Sequence, residues 1–144
     1  MAYSPVGFIN RLKNKVSFSE DSTLDIGAHD MGLEQVSVTI NDDGGERLRV
    51  ATGTVFSYNI FCLVTATISV RKTSPMAQRY LDRFSNDCFI GGTATLYDDA
   101  GNYFTAYNPS ISLKDMGALN GTEPAYKFEF KADLIVNKEA LSGF

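Results

Sequence analysis

Residues 126 to 134 alternate strictly between apolar and polar side chains, and this pattern limits the possible folds more than any other feature of the sequence. The apolar positions are Tyr126, Phe128, Phe130, Ala132, Leu134 and Val136. Charges that alternate in sign stand between them: Lys127, Glu129, Lys131 and Asp133. Because successive side chains of a β-strand point to opposite faces, the pattern predicts a long antiparallel strand with one buried face and one polar face.

The same period recurs in the middle of the chain. Its apolar positions are Cys62, Val64, Ala66, Ile68 and Val70, and the alternate positions are Leu63, Thr65, Thr67, Ser69 and Arg71. The sequence predicts strands over residues 36–40 and 55–71 and a shorter one over 48–50. It also predicts a hairpin around residues 98–101, where Gly101 suits a left-handed turn position.

A single helix is predicted at about residues 75–85. Ser74 suits the N-cap and Pro75 suits the first helical position. Apolar side chains recur at helical spacing, and we expect them to be buried in the core: Ala77, Tyr80, Leu81 and Phe84. The expected fold is therefore mainly β, an antiparallel β-sandwich or half-open barrel with this one packed α-helix.

The length of 144 residues suits a single domain, 1–144. We expect residues 1–33 to form an N-terminal segment with an irregular acidic loop, 34–136 to form the β core with the helix, and 137–144 to form a C-terminal tail. The acidic stretch 19–32 is long for a connection, so we interpret it as either a mobile loop or an interaction segment.

Composition excludes several classes of function. The net charge of -4 argues against capture of nucleic acid by clustered cations. One histidine and two cysteines are too few for a zinc site built from Cys and His or for a disulfide scaffold. No apolar stretch has the length needed to cross a bilayer, so we expect no membrane insertion by this chain.

Four candidate chemical motifs have simpler structural explanations. His29 lies alone in an irregular segment, and residues 98–99 are acidic turn formers. Residues 42–46 lack the spacing of a calcium loop, and residues 91–92 lack the Lys and Ser/Thr of a phosphate loop. We therefore predict no enzyme activity, no catalytic residues, no cofactor and no metal site.

Long polar strand faces without obvious breaks favour self-assembly, because exposed strand edges invite pairing with another chain. We expect the Gly-Gly loop at residues 41–46 to be a flexible hairpin tip that either contacts a neighbouring chain or stays in solvent. The candidate self-assembly residues are Val36, Val38, Ile40, Asp42, Asp43, Gly44, Gly45, Glu46, Thr65, Thr67 and Ser69.

The order of these elements resembles that of a known family. A Thr-rich strand at residues 66–72 is followed directly by Thr-Ser-Pro at 73–75, by the amphipathic helix, by a hairpin with Asp-Asp-Ala-Gly at 98–101 and by a long final strand. Over roughly residues 34–136 this order is similar to that of bacteriophage tail tube proteins, in particular a small family of contractile-tailed phages.

The resemblance implies a structural subunit that forms hexameric rings, stacked into a tube that conducts DNA during genome ejection. It implies tail sheath, tape measure and baseplate or terminator proteins as partners, and a place in the virion after synthesis in the host cytoplasm. Such lumens are typically acidic, so Lys127 and Lys131 imply that the last strand faces elsewhere or has its charge compensated. Two alternatives stay open: a tube-like component of a related contractile injection machine, and a monomeric ligand-binding β-sandwich module.

Overall fold

The computed structural model describes residues 7–142, which form nine β-strands and two α-helices. The strands are β1 Lys15–Phe18, β2 Ile26–Gly27, β3 Met31–Ile40, β4 Gly45–Val50, β5 Gly53–Tyr58, β6 Phe61–Arg71, β7 Thr93–Tyr97, β8 Tyr103–Asp115 and β9 Ala125–Ile135. The helices are α1 Pro75–Asn86 and α2 Lys138–Ser142, and three 3-10 turns lie at Arg11–Lys13, Ser22–Leu24 and Ala28–Asp30. The predicted fold class, mainly β with one packed helix, is confirmed.

Seven strands form one antiparallel sheet in the order β2-β1-β7-β8-β9-β6-β3, while β4 and β5 pair with each other in a separate two-stranded sheet. The large sheet is curled. The rings of Phe18 on β1 and Phe130 on β9 lie 5.2 Å apart across it, although two strands separate β1 from β9 in the sheet. Its two ends also approach each other: the amide of Asn14, just before β1, donates a hydrogen bond to Gln35 on β3 at 3.2 Å. The result is a half-open barrel.

The alternation of β6 and β9 decides which face of the sheet is buried. The two strands pair along their full lengths, and their apolar positions point into the core, where Ile68 and Phe128 are each 0% exposed. The intervening polar positions point to the opposite face. The predictions for these two strands are confirmed, since the long alternating runs over 64–71 and 126–134 leave one choice of buried face.

Helix α1 covers the apolar side of the sheet. The Ser74 hydroxyl oxygen accepts a hydrogen bond from the N–H of Met76 at 3.2 Å, which is the predicted N-cap. The ring of Tyr80 meets Phe128 and Phe130 edge-on, at centroid distances of 5.3 and 5.5 Å. These aromatic contacts attach the helix to β9.

The second half of α1 is less buried than predicted. Its fully buried residues are Met76, Ala77 and Tyr80, all in the first two turns. Leu81 is only partly buried, and Phe84 is 39% exposed. The prediction that Phe84 is a core residue is therefore wrong, because the core beneath the helix ends one turn before it.

The N-terminal segment belongs to the core. Strand β1 pairs with β7, and β2 pairs with β1, so the β core does not begin at residue 34. Leu24, Ile26 and Met31 are buried, and an Asp25 carboxylate oxygen accepts a hydrogen bond from the N–H of Phe18 at 2.7 Å. The interpretation of residues 19–32 as a mobile loop is wrong, because isolated apolar side chains fix the segment without a long alternating run.

The prediction for the 98–101 hairpin and the prediction for a strand over 55–71 have different outcomes. The 98–101 hairpin is confirmed: Gly101 has a φ of +93°, and a carboxylate oxygen of Asp98 accepts hydrogen bonds from the N–H groups of Ala100 and Asn102. The predicted continuous strand at 55–71 is wrong, because the chain breaks between Tyr58 and Phe61 into β5 and β6.

Candidate functional site

The β4–β5 hairpin has no core of its own. Its strands pair in register from Gly45 opposite Tyr58 to Val50 opposite Gly53, and none of their residues is buried. An isolated two-stranded hairpin is at best marginally stable in water. A hairpin that leaves large apolar side chains exposed therefore has the properties of a contact surface.

The two faces of this hairpin differ in chemistry. One face is basic and aromatic: the Arg47 guanidinium lies 5.5 Å from the centre of the Phe56 ring, and Phe56 packs edge-on against Tyr58 at 5.1 Å. Arg49 lies on the same face, two residues after Arg47. A Cβ at Gly45 would overlap the Phe56 ring, so the missing side chain makes room for this aromatic cluster. The other face is aliphatic: Leu48, Val50 and Val55.

Asn137 joins both ends of the hairpin. Its side-chain amide donates hydrogen bonds to the carbonyl oxygens of Gly44, at 2.6 Å, and Asn59, at 2.8 Å. Gly44 immediately precedes β4 and Asn59 immediately follows β5. Asn137 itself has a φ of +58°, a left-handed conformation that asparagine tolerates better than most residues. We call this arrangement the Asn137 clamp. It fixes the base of the hairpin to the end of β9.

The acidic linker before β4 is ordered by hydrogen bonds. A carboxylate oxygen of Asp42 accepts from the N–H of Leu63 at 3.0 Å, and the carbonyl of Asp43 accepts from the Asn59 amide at 2.7 Å. The prediction of a flexible Gly-Gly hairpin tip is wrong, because the tip of this hairpin is at residues 51–52. The linker instead forms the base of the hairpin.

Strand β3 is the long terminal strand of the seven-stranded sheet, and within residues 7–142 no strand pairs with its outer edge. The N–H of Asn41 donates to the carbonyl of Leu63 on β6 at 2.9 Å. Antiparallel hydrogen bonds alternate along a strand, so the N–H of Thr39 also points to β6. The backbone groups of the alternate residues therefore point outward: Val36, Val38 and Ile40.

A cleft of about 450 Å³ runs along this edge. It is the opening of the half-open barrel, between β3 on one side and the turn between β7 and β8 on the other. Its lining includes the acidic residues Glu34, Asp98 and Asp99 and the aromatic residues Tyr97, Tyr103 and Phe104. Of the described residues that line it, none is Lys or Arg.

The predicted self-assembly residues divide into three groups. Val36, Val38 and Ile40 lie on the free edge, and Asp42 to Glu46 lie at the hairpin base. Thr65, Thr67 and Ser69 lie on β6, which pairs with β3 on one side and β9 on the other. The expectation that β6 offers a free backbone edge is wrong for this reason, and Ser69 is itself buried.

Charges on the polar face of the sheet are compensated in pairs. The ammonium nitrogen of Lys131 lies 3.6 Å from a Glu129 carboxylate oxygen, and that of Lys127 lies 3.3 Å from Glu34. Lys114 adds a longer contact to Glu129 at 3.9 Å. These partly exposed pairs contribute little to stability, but they cancel cations that would otherwise attract a polyanion.

Within the described part of the chain, Tyr80 is the side chain with a clearly perturbed pKa. Burial raises its pKa well above the usual value, and the carboxylates of Asp25 and Asp30 raise it further. Its hydroxyl donates a hydrogen bond to the carbonyl of Leu24 at 2.7 Å. This hydroxyl is a structural group in the core and is not part of the exposed surfaces described above.

Over residues 7–142, no three His, Cys, Asp or Glu side chains come together as metal ligands, and neither α-helix has the length and hydropathy of a membrane span. The chain matches no model of a known protein family, no curated protein and no solved structure.

The sequence did not indicate Arg47 and Arg49, which lie on the exposed basic face of the hairpin. Alternating arginines in β4 have the pattern of an ordinary solvated strand, so nothing marked Arg47 and Arg49. The signal that could have found the hairpin is the pair of short alternating runs on either side of residues 51–53, which suit a turn. Asn137 carried no signal, because its partners are far away in the sequence.

Proposed function

We propose that the chain is a structural subunit of a bacteriophage tail tube, which assembles with copies of itself into hexameric rings stacked around a DNA-conducting lumen. The observation that carries the proposal is the β4–β5 hairpin, which exposes Leu48, Val50, Val55 and Phe56 without any core of its own. Burial of such side chains against a neighbouring subunit is worth about 25 cal/mol per Å² of apolar surface.

The free edge of β3 supports the same proposal. Backbone N–H and C=O groups on an unpaired edge can be satisfied by a strand of another chain, which extends the sheet across the subunit boundary. The regular part of β3, residues 36–40, ends the sheet and contains no proline, so it is poorly protected against such pairing. Repeated around a ring, this pairing would join the sheets of all subunits.

The polar face of the sheet supports the proposal that it lines a DNA-conducting lumen. Its serine and threonine side chains and its paired charges offer a polyanion no unpaired row of cations, and its exposed apolar side chains, Phe61, Leu63 and Ile135, lie together at one end of the face. Lys127 and Lys131 are each within salt-bridge distance of a carboxylate, which favours compensation of the charge on the last strand. A duplex passing such a wall has little counterion release to gain from binding to it.

A matched pair of proline variants tests the proposal. Val38→Pro removes an N–H that points away from the sheet, and edge strands tolerate such a proline. We expect this variant to stay folded but to form no rings or tubes under negative-stain electron microscopy, while the wild-type protein forms them. Thr39→Pro, its control, removes an N–H directed to β6 and should destabilise the subunit by about 3 kcal/mol or more.

One result would contradict the proposal, and a second would remove the part of it that concerns β3. A wild-type protein that stays monomeric at high concentration in sedimentation experiments would favour a monomeric binding module that uses the cleft beside β3. Tubes of normal length from the Val38→Pro variant would show that the free edge of β3 takes no part in assembly.

A further inference from the structure

We infer that the cleft beside β3 of one copy receives the β4–β5 hairpin of a second copy, with the basic and aromatic face of the hairpin against the acidic wall of the cleft. The inference rests on the proposed self-assembly and names the two surfaces that meet. It concerns one contact of defined chemistry between two exposed features of the same chain.

Charge complementarity is the first argument. Arg47 and Arg49 lie on one face of the hairpin, about 7 Å apart along the strand. The cleft presents the carboxylates of Glu34, Asp98 and Asp99 and has no Lys or Arg among its described lining residues. Opposite charges on two surfaces of one chain favour contact between copies and oppose contact of either surface with itself.

The three carboxylates differ in how free they are. Asp98 accepts hydrogen bonds from the N–H groups of Ala100 and Asn102, which form its own turn. Glu34 lies 3.3 Å from the ammonium of Lys127, in a pair whose members are both substantially exposed to water. Among the described residues, no cation lies within salt-bridge distance of Asp99. Asp99 is therefore the carboxylate most available to an arginine from outside.

Shape and backbone geometry are the second argument. Six-residue strands such as β4 and β5 are about 20 Å long, and within residues 7–142 each pairs with a strand along one edge alone. The outward backbone groups of β3 extend over residues 36–40, a stretch of similar length. Apolar and aromatic side chains line the same cleft, including Val36, Val38 and Tyr103, and can pack against Phe56 and Tyr58.

The hairpin of the same copy does not fill the cleft. No residue of β4 or β5 lines it. The Asn137 clamp and the hydrogen bonds of the acidic linker hold the base of the hairpin beside the start of β6, after β3 has ended at Ile40. A β4–β5 hairpin that occupies the cleft must therefore come from another copy, and a chain that gives its hairpin to one neighbour and takes another from the next can close a ring.

Charge reversal on each side tests the contact. Arg49→Glu places a carboxylate against the acidic wall, and Asp99→Arg places a cation against Arg47 and Arg49. We expect each variant alone to assemble at a protein concentration at least about tenfold higher than the wild type in sedimentation velocity, since like charges now meet. Thermal unfolding of the unassembled subunit should stay unchanged, because both positions are exposed.

Mixing the two variants gives the decisive result. In an alternating assembly, each hairpin with the Arg49→Glu change meets a cleft with the Asp99→Arg change, and each unaltered hairpin meets an unaltered cleft. The equimolar mixture should therefore assemble nearly as well as the wild type, and the combined variant Arg49→Glu/Asp99→Arg should do the same. Arg79→Glu makes an identical charge change on the exposed side of α1, and neither alone nor in mixtures should it reproduce this behaviour.

The outcomes separate this inference from the proposed function. Reversals that leave assembly unchanged, or a mixture no better than its components, overturn the hairpin-in-cleft contact while wild-type tubes still support a tube subunit. A wild-type protein that never assembles overturns both.

Discussion

The β6–β9 pair and the β4–β5 hairpin are built from the same kind of sequence and have opposite environments. Both are antiparallel and in continuous register, and both alternate in side-chain character. In the first pair the inward face of β6 is buried along its length and that of β9 is buried at Phe128 and Phe130, under α1 and the curled sheet, whereas the hairpin buries no residue. Alternation thus defines two faces of a strand pair, but a neighbouring element must supply the cover. For the hairpin, we propose that the cover is another subunit.

Two phenylalanines provide the sharpest test of this contrast. Phe128 on β9 is 0% exposed and Phe56 on β5 is 45% exposed. We expect Phe128→Ala to lower the free energy of unfolding of the isolated subunit by about 3–5 kcal/mol, because it leaves a cavity in the core. We expect Phe56→Ala to lower it by less than about 1 kcal/mol.

Chemical denaturation of the unassembled subunit measures both values. The order of the two effects should reverse when assembly is measured: the Phe56→Ala variant should form no tubes although its subunit is stable. Equal losses of subunit stability would mean that the hairpin is folded onto the body of the protein in solution, and the contrast between the two regions would fail.

The Asn137 clamp is the point at which the two regions are joined, and removing it has a smaller effect. Asn137→Gly keeps a residue suited to the φ of +58° but deletes the amide that holds Gly44 and Asn59. Two hydrogen bonds of this kind contribute about 1–3 kcal/mol together. We expect faster hydrogen exchange confined to β4 and β5, with the exchange of β6 and β9 unchanged. Exchange that accelerates equally in both strand pairs would show that the clamp stabilises the whole domain.

The smallest effect at neutral pH concerns the buried hydroxyl of Tyr80. Tyr80→Phe loses one hydrogen bond, to Leu24, and should cost about 1 kcal/mol. Because burial raises the pKa of Tyr80 in the folded state, the unfolded chain releases the phenolic proton first as the pH rises. The wild type should therefore keep this contribution below about pH 10 and lose stability progressively above it, with the unfolded state favoured.

The Tyr80→Phe variant should lack that part of the alkaline loss, so the stabilities of the two proteins converge as the pH rises. Thermal melts of both proteins between neutral pH and strongly alkaline pH provide the comparison. Curves that stay parallel throughout would mean that the Tyr80 hydroxyl titrates alike in the folded and unfolded chains.

The body of the fold was largely predictable from local sequence. Long alternating runs over 64–71 and 126–134 predicted β6 and β9, and a cap followed by proline predicted α1, because these signals depend on neighbouring residues alone. Strands β1 and β2 were missed, since they are short, and β1 is held by pairing with a distant strand, β7, while β2 pairs with β1. Residues such as Leu24 and Ile26 become core residues through the curl of the sheet, which no local pattern encodes.

The candidate site was predictable only in part. Val36, Val38 and Ile40 were chosen for alternation, and their backbone groups prove to point outward from the edge of β3. Thr65 and Thr67 were chosen on the same grounds but lie between two partner strands. Strand order decides between these cases, and it depends on pairing between residues far apart in the sequence. The acidic wall of the cleft depends on such pairing as well, since its carboxylates come from distant parts of the chain.

Strands β3 and β6 are direct neighbours in the sheet, with Ile40 opposite Val64, although the whole hairpin lies between them in the chain. Residues 45–58 are thus an insertion into what is otherwise a simple connection between two paired strands. Such a cassette can be lengthened, shortened or exchanged without altering any residue that folds the body. In the proposed contact between copies, the hairpin can therefore change without any change in the body, whereas the cleft that receives it is lined by residues of the body such as Val36 and Leu96.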